Sequence, residues 1–159
     1  VSDHAYEQRG ILHCVLETPA GRIHCYVVHL GLFEGGRGRQ TAQLIEAVEQ
    51  SSDGEPVIIA GDFNDWRNTL SDRLRNALGV AEVFDELGPR SPLGDMVRSW
   101  AGRQPRLAPA RTFPAALPWF RLDRIYVRGF KVDNAQVMAG SIWAKLSDHA
   151  PIVAELQLA

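Results

Sequence analysis

The chain opens with two segments in which apolar and polar positions alternate, residues 9–17 and 22–30. Alternation with a period of two is typical of β-strands, and Thr18–Gly21 between the segments has the composition of a tight turn. We therefore predict a hairpin in which position i faces position 39 − i, with His29 at the end of its second strand. One face of this hairpin carries Leu12, Cys14, Leu16, Ile23, Cys25 and Val27.

A strand, a helix and a second strand are predicted next. Val57–Ala60 is apolar at every position, which indicates a short strand buried on both faces. Residues 40–50 carry apolar side chains at helical spacing with glutamates outside them, which predicts an amphipathic helix. The glycine- and arginine-rich residues 34–39 are expected to form a flexible loop. This order is typical of a crossover between parallel strands.

The remaining elements are shorter. Ser71–Leu78 has the pattern of a helix that ends at a glycine cap, Gly79. Residues 1–8 are expected to be a frayed entry, and six prolines between positions 88 and 118 predict a surface loop. A short extended piece is predicted within residues 80–87, and extended segments are predicted at residues 122–127, 131–138 and 147–158, the last of which starts as a loop.

Polar side chains follow the buried strand at once. If the backbone stays extended beyond Gly61, Asp62 and Asn64 project to one side while Phe63 turns into the core. A carboxylate can bind a metal or take a proton from water, and an amide can hold an oxyanion. The alternative is an Asx turn, in which these side chains bond their own backbone.

Length and charge restrict the possible classes. The 159 residues fit one domain, which we place at residues 1–159, and cannot hold two ordinary domains. The formal net charge of −2 gives no overall basic field that would indicate a nucleic-acid partner. Residues 98–128 are rich in arginine and contain Asp123 as their only acid. We predict that these arginines form a solvated basic face or a surface that attracts phosphates. They are Arg98, Arg103, Arg106, Arg111, Arg121, Arg124 and Arg128.

Cys14 and Cys25 are the only cysteines, and the hairpin register places them opposite each other. A cross-strand disulfide is one possibility, and two buried free thiols is the favoured one. The chain has no run of about 18 apolar residues, so we expect a soluble, cytoplasmic protein. Because it begins at Val1 without Met or a signal-like segment, we interpret it as a fragment or processed form.

Four strand ends offer polar groups, and together they carry a family resemblance. The phrases VVHLG, IIAGDFND, RLDRIYV and SDHAPIVAEL occur in this order. They resemble the endonuclease/exonuclease/phosphatase superfamily of deoxyribonuclease I-like, metal-dependent phosphodiesterases. The resemblance runs from about residue 9 to residue 158. Lone histidines at strand ends are usually packed or solvated, so the combination is what indicates function.

The resemblance implies a fold and a reaction. The fold would be α/β (α+β), a four-layer sandwich of two central mixed β-sheets flanked by helices. The reaction would be attack of water on phosphorus, with Mg²⁺, or Mn²⁺, bound where the strand ends of both sheets meet. Asp148 and Asp62 would match metal-binding carboxylates.

The resemblance also implies roles for individual side chains. His149 would match the catalytic histidine, and Asp123 the acid that bonds its ring and fixes its tautomer. Asp62 would orient or deprotonate the attacking water. Asn64 would hold the phosphate or the acid, and His29 would stabilise the phosphate or assist the leaving group. Asp123 interrupts an apolar strand, so it is expected to be paired in any case.

The substrate is expected to be a phosphodiester or phosphomonoester, in a nucleic acid, a lipid head group or a small molecule. Arg111 and Trp66 are candidate substrate-binding residues. Trp66, Trp119 and Phe120 could form an apolar wall for a base or a lipid, or could simply pack.

One departure from the superfamily pattern supports a second hypothesis. Members carry an Asn on the opening strand and a metal-binding Glu in a segment resembling LQE, and neither motif occurs here. We therefore expect the chain to be the second half of the domain, with the first half absent and a sparse metal site. Exposed sheet edges would then favour self-association. The alternative function is a non-catalytic, anion-binding or assembly module that uses residues 98–128.

Overall fold

The computed structural model describes residues 9–87 and 110–159, so the expectations for residues 1–8 and for Arg98, Arg103 and Arg106 lie outside the described residues. The described strands are β1 (Gly10–Thr18), β2 (Gly21–His29), β3 (Val57–Asp62), β4 (Ala81–Glu82), β5 (Asp123–Arg128), β6 (Phe130–Val137) and β7 (Ile152–Leu158). The described helices are α1 (Glu34–Ser52), α2 (Ser71–Leu78) and α3 (Val83–Glu86), with a 3₁₀ turn at Trp143–Lys145.

Five of these strands form one mixed sheet in the order β1-β2-β3-β5-β4. Strands β1 and β2 pair antiparallel with Gly10 opposite His29 and Thr18 opposite Gly21, which confirms the hairpin and its predicted register. Strand β3 runs parallel to β2, as expected for a strand reached through a crossover helix. Strands β6 and β7 pair antiparallel in a second sheet.

Gly61 shows how closely β2 and β3 approach each other. It has a φ of 139°, and a Cβ at this position would lie 2.0 Å from the Val28 carbonyl oxygen. No other residue fits there, because the added carbon would overlap the neighbouring backbone. The glycine therefore lets β3 continue to Asp62 beside β2.

Two hydrophobic cores lie on the two faces of the five-stranded sheet. On one face, helices α1 and α2 cover Tyr26, Val28, Val57, Ile59 and Phe63. On the other face, Val127 packs against Val83 and against Val132 of the second sheet. The predicted α/β class is therefore confirmed, and the described residues supply a helical layer, a mixed sheet and two strands of a second sheet. No helix in the described part of the chain is long and apolar enough to cross a membrane.

The loop prediction for residues 34–39 is wrong, because α1 begins at Glu34. Tertiary contacts override the low helix propensity of the glycines here. Arg37 is buried and donates hydrogen bonds to the carbonyl oxygens of Gly31 and Leu32. Gln40 accepts a hydrogen bond from the Gly31 N–H. These contacts fix the first turns of α1 against the end of β2.

The solvated basic face predicted for residues 98–128 is also wrong for part of that segment. Arg124 is only 1% exposed and donates to the carbonyl oxygens of Arg121 and Asp65. Arg128 donates to the carbonyl oxygens of Leu78 and Glu55. Both guanidinium groups satisfy backbone carbonyls at loop and helix ends, so they stabilise the scaffold.

Cys14 and Cys25 are both free thiols, as favoured from the sequence. Cys14, however, is exposed rather than buried. The hairpin buries its opposite face, which carries Tyr26 and Val28, against α1. Partial burial, together with the neighbouring Cys14, raises the pKa of the Cys25 thiol.

Candidate active site

Strand register brings three of the predicted site residues side by side. His29 is the partner of Asp62 in the parallel pair β2–β3. Asp62 is in turn the partner of Asp123 in the antiparallel pair β3–β5. Residues that are far apart in the sequence thus form a row across one end of the sheet.

His149 joins this row from the loop before β7. Its Nδ1 lies 2.8 Å from Oδ2 of Asp123, so the acid that interrupts the strand pattern is paired, as expected. Burial opposes a charge on the ring, but the hydrogen bond to Asp123 and the charges of Asp123, Asp62 and Asp148 outweigh it and raise the pKa of His149. An ionised Asp123 accepts the Nδ1 proton, which leaves Nε2 as the nitrogen that can exchange a proton with a ligand.

A neighbouring loop holds His149 in place. The Ala115 N–H donates to the Asp148 carbonyl oxygen at 2.7 Å, and the Ala150 N–H donates to the Thr112 carbonyl oxygen at 2.8 Å. The Phe113 ring packs against the imidazole of His149, with their centroids 4.9 Å apart. The histidine loop is therefore braced on both sides of its ring.

Asp62 and Asn64 both face the site, while Phe63 is fully buried, as predicted. The Asn64 N–H donates to Oδ1 of Asp62 at 2.8 Å, so the Asx turn that was the alternative interpretation forms as well. The Asn64 side-chain amide donates to Oδ2 of Asp62 at 3.1 Å and to the Leu30 carbonyl oxygen at 2.8 Å. Asn64 therefore positions the acid, with both amide protons engaged.

Burial raises the pKa of Asp62, the hydrogen bond from the Asn64 backbone opposes this shift, and the charge of Asp123 adds to it. A higher pKa makes the Asp62 carboxylate a stronger proton acceptor than an exposed aspartate. His29 is close by, with its Nε2 3.7 Å from Oδ2 of Asp62.

Arg9 is a site residue that the sequence interpretation missed. Its Nη1 donates to the Leu30 carbonyl oxygen at 2.6 Å and lies 2.9 Å from Nε2 of His29. Because a guanidinium can only donate, Nε2 of His29 accepts this bond and its ring proton sits on Nδ1. The hairpin register contained the signal, since position 39 − 9 is Leu30, directly beside His29.

These side chains surround one open cavity of about 560 Å³. Its lining residues are Arg9, His29, Leu32, Asp62, Asn64, Phe113, Leu122, Asp123, Ser147, Asp148 and His149. Asp148 thus joins the predicted catalytic residues at the cavity. Trp66 and Arg111 are not among the lining residues: Arg37 lies 5.7 Å from the Trp66 ring, and Arg111 lies 5.7 Å from the Trp119 ring. Their substrate-binding role stays a prediction.

The cavity presents the oxygen donors that a hard cation prefers, on Asp62, Asp123 and Asp148. Among residues 9–87 and 110–159, no group of three or more His, Cys, Asp or Glu side chains is arranged to hold a metal ion. A donor set of this kind fits Mg²⁺ or Mn²⁺ only if water and substrate oxygens complete the coordination, which is how proteins commonly bind Mg²⁺.

Comparison with known proteins adds the family context. Residues 2–149 match the model of the Endonuclease/Exonuclease/phosphatase family. The chain is 41% identical over 160 residues to the uncharacterized protein YbhP of Escherichia coli strain K12, in a match that covers 99% of this chain and 56% of YbhP. The protein of the same name from Shigella flexneri matches equally well. The chain thus spans little more than half the length of these relatives.

Two solved structures illustrate the fold that the chain shares. The human nocturnin catalytic domain with bound sulfate superposes with a TM-score of 0.66 at 19% identity, covering 95% of this chain and 53% of that one. The TDP2 protein of D. rerio, in complex with a single-stranded DNA product, gives a TM-score of 0.61 at 19% identity and covers 94% and 62%. At this level of identity the likeness establishes the fold.

Proposed function

The chain belongs to the endonuclease/exonuclease/phosphatase family, as its sequence phrases indicated, and we propose that the full-length protein hydrolyses phosphodiester bonds with the help of Mg²⁺ or Mn²⁺. The proposal rests on the row of His29, Asp62 and Asp123 across the end of the sheet, and on the hydrogen bond from His149 to Asp123. A cavity lined by a paired imidazole and a carboxylate of raised pKa contains both an acid and a base.

The proposed reaction adds water across a phosphorus–oxygen bond. Asp62, steadied by Asn64, accepts a proton from the attacking water. His149, held by Asp123 and charged on its ring, donates its Nε2 proton to the leaving oxygen. The products are an alcohol and a phosphomonoester, and proton exchange with solvent restores both side chains. A positioned, partly buried acid–base pair of this kind accelerates such a reaction by about 10²–10⁴-fold for each proton transfer.

Arg9 and His29 complete the proposed site. The Arg9 guanidinium is 7% exposed and brings a permanent positive charge to a cavity otherwise rich in carboxylates. It would attract a phosphate oxygen, and His29 would offer its Nδ1 proton to the same group. Asp62 and Asp148 would hold the divalent ion, which, when bound, would neutralise charge that builds on the phosphate oxygens.

The test is an assay of the full-length protein on a generic aryl phosphodiester, on DNA and on a phospholipid, with Mg²⁺, with Mn²⁺ and with chelator. We expect turnover that requires the ion and falls by at least about 10²-fold in His149→Asn. The side-chain NH₂ of asparagine can take the place of Nδ1 and still donate to Asp123. The substitution therefore removes Nε2, the nitrogen that would face the substrate. Equal rates for the wild-type and His149→Asn proteins would refute the proposal.

A non-catalytic anion-binding module is the second candidate, and the sparse metal-donor set favours it. It requires binding of nucleic acid or anionic lipid that weakens steeply with salt. That binding would persist in Asp62→Ala and His149→Asn, with no turnover in any ion. The same assays therefore separate the two candidates.

A further inference from the structure

A second cluster of titratable side chains lies at the other end of the five-stranded sheet. Nε2 of His24 bonds Oε2 of Glu55 at 2.7 Å, and Nδ1 of His24 lies 3.0 Å from Nε2 of His13. His24 pairs with Val57 at the start of β3, five residues before His29 and Asp62. At about 3.3 Å per strand residue, the cluster is roughly 16 Å from the candidate active site.

The protons in this cluster can be assigned from its contacts. Arg22 lies 2.8 Å from Oε1 of Glu55, and this permanent positive charge pairs with the carboxylate form of Glu55, which accepts the bond from His24. His24 therefore carries its proton on Nε2, and its Nδ1 has a free lone pair. That lone pair accepts the proton on Nε2 of His13. Nε2 of His13 and Nδ1 of His24 thus share one proton in a hydrogen bond.

The rings of His13 and His24 are nearly parallel, with 14° between their planes and 5.1 Å between their centroids. Their facing nitrogens are only 3.0 Å apart, so these nitrogens point towards each other close to the two ring planes. The His13 ring also lies parallel to the ring of Tyr26, at 4.4 Å between centroids. For both lone pairs to converge on one ion, the exposed His13 ring must swing out of line with this hydrogen bond, while His24 stays held by Glu55.

The distance between the nitrogens matches a metal chelate. Two ligands at about 2.1 Å from an ion and at right angles to each other are about 3.0 Å apart, and the observed separation of Nδ1 of His24 and Nε2 of His13 is 3.0 Å. Right angles between nitrogen ligands are typical of Cu²⁺ and Ni²⁺. The carboxylate of Glu55 on the far nitrogen of His24 is the partner that metal-binding histidines usually have.

We propose that His13 and His24 form a binding site for a divalent transition-metal ion, with Glu55 as the positioning residue that holds His24 in its ligating tautomer. The ion takes the place of the shared proton, which moves within the His13 ring from Nε2 to Nδ1, so no net proton is released. Water completes the coordination, since the described residues offer only this pair. The site is independent of the proposed hydrolase activity and of Mg²⁺.

The affinity order follows from the ligands. Nitrogen ligands bind Cu²⁺ most tightly, followed by Ni²⁺ and then Zn²⁺, and leave Mg²⁺ in solution. The candidate active site also contains histidines, so a simple binding curve would mix two sites. The experiment must therefore report on each imidazole separately.

The test uses the full-length protein labelled with ¹⁵N and spectra that correlate the imidazole nitrogens with ring protons. Without metal, we expect His24 to carry its proton on Nε2. On addition of Zn²⁺, the signals of Nδ1 of His24 and Nε2 of His13 should shift together at a one-to-one ratio. Cu²⁺ should affect the same two signals at a lower concentration than Zn²⁺ does.

Three variants identify the ligands. His13→Gln, a change at an exposed position, should abolish the metal response of His24. Glu55→Gln should weaken binding by about 10–100-fold, the usual effect of losing such a partner. His149→Asn is the matched control and should leave the response of His24 unchanged. A His24 proton on Nδ1, or a Zn²⁺ response confined to His29 and His149, would overturn the proposal.

Discussion

Each end of the five-stranded sheet holds a histidine bonded to a carboxylate, and the two pairs have almost the same bond length. His149 bonds Asp123 at 2.8 Å at one end, and His24 bonds Glu55 at 2.7 Å at the other. They differ in what the second ring nitrogen meets. His149 lines an open cavity that contains three carboxylates, whereas the second nitrogen of His24 bonds His13.

This comparison indicates that a histidine–carboxylate pair is a general device for fixing a tautomer. The chemistry that the pair performs depends on its surroundings. A cavity beside Asp62 allows His149 to exchange a proton with a substrate, as proposed here. His24 is 3% exposed, and its Nδ1 faces the second imidazole, that of His13. We therefore infer that this nitrogen binds either the proton of His13 or a metal ion. Matched substitutions at the two ends of the sheet separate these two roles.

The largest difference should come from the histidines themselves. His149→Asn retains the bond to Asp123 and removes the outward nitrogen, so kcat/KM should fall by about 10²–10⁴-fold. His24→Gln retains a donor to Glu55 in the same way and should change kcat/KM by less than about threefold per folded molecule. Phosphodiester turnover, normalised to folded protein by circular dichroism, measures both. A loss of similar size in the two variants would mean that the effect is on folding.

The carboxylates should show a smaller difference and a characteristic pH response. Asp123→Asn should lower kcat/KM by about 10–100-fold, as is usual when the partner of a functional histidine is lost. It also removes the main interaction that raises the pKa of His149. The limb of the pH–rate profile that reports loss of the His149 proton should therefore move to lower pH. Glu55→Gln should leave that limb where it is, and a shift in both variants would contradict the comparison.

Local sequence patterns encode some parts of this structure and not others. The hairpin register followed from one turn, and Asp62, Asn64, Asp123 and His149 were recognisable because they lie at or near strand ends in phrases that together resemble one family. Helix α1 begins six residues before its predicted start, because Arg37 and Gln40 stabilise its glycine-rich first turns through contacts with the end of β2. Contacts of that kind depend on the assembled fold.

Two other features of the site could not be predicted from local sequence patterns, for the same reason. Arg9 lines the cavity only because β1 places it beside His29, although the register would have located it. Trp66 and Arg111 were candidates because of their residue types, and the cavity does not include them. Period and register place side chains on strands and close to strand ends, whereas the position of a residue farther into a loop depends on the assembled fold.

A moderate difference is expected between two arginines. Arg9→Met removes the positive charge beside His29 and should lower kcat/KM by about tenfold, the equivalent of one charged hydrogen bond. The loss should appear mainly in KM if Arg9 binds the phosphate in the ground state. Arg22→Met removes the corresponding charge beside Glu55 and should leave both constants unchanged. Steady-state kinetics on one soluble phosphodiester measure the two variants, and equal losses would contradict the assignment of Arg9 to the site.

The smallest effect concerns the pH dependence of stability, which should have opposite signs at the two ends. Burial raises the pKa of Asp62, so the folded protein binds that proton more tightly than the unfolded chain. Its contribution to stability therefore falls as pH rises from the unfolded value of 3.8 through the higher folded value. The bond from His24 lowers the pKa of Glu55, so its contribution is present above the unfolded value of 4.5 and is lost as pH falls through the folded value.

Urea unfolding at about pH 4 and about pH 7 tests this difference in sign. The quantity to compare is the free energy of unfolding at the higher pH minus that at the lower pH. Relative to wild type, Asp62→Asn should make this difference more positive, by on the order of 1 kcal/mol, and Glu55→Gln should make it more negative. A hydrogen bond lost equally at both pH values cancels in the subtraction. Changes of the same sign in the two variants would contradict the opposite pKa shifts of Asp62 and Glu55.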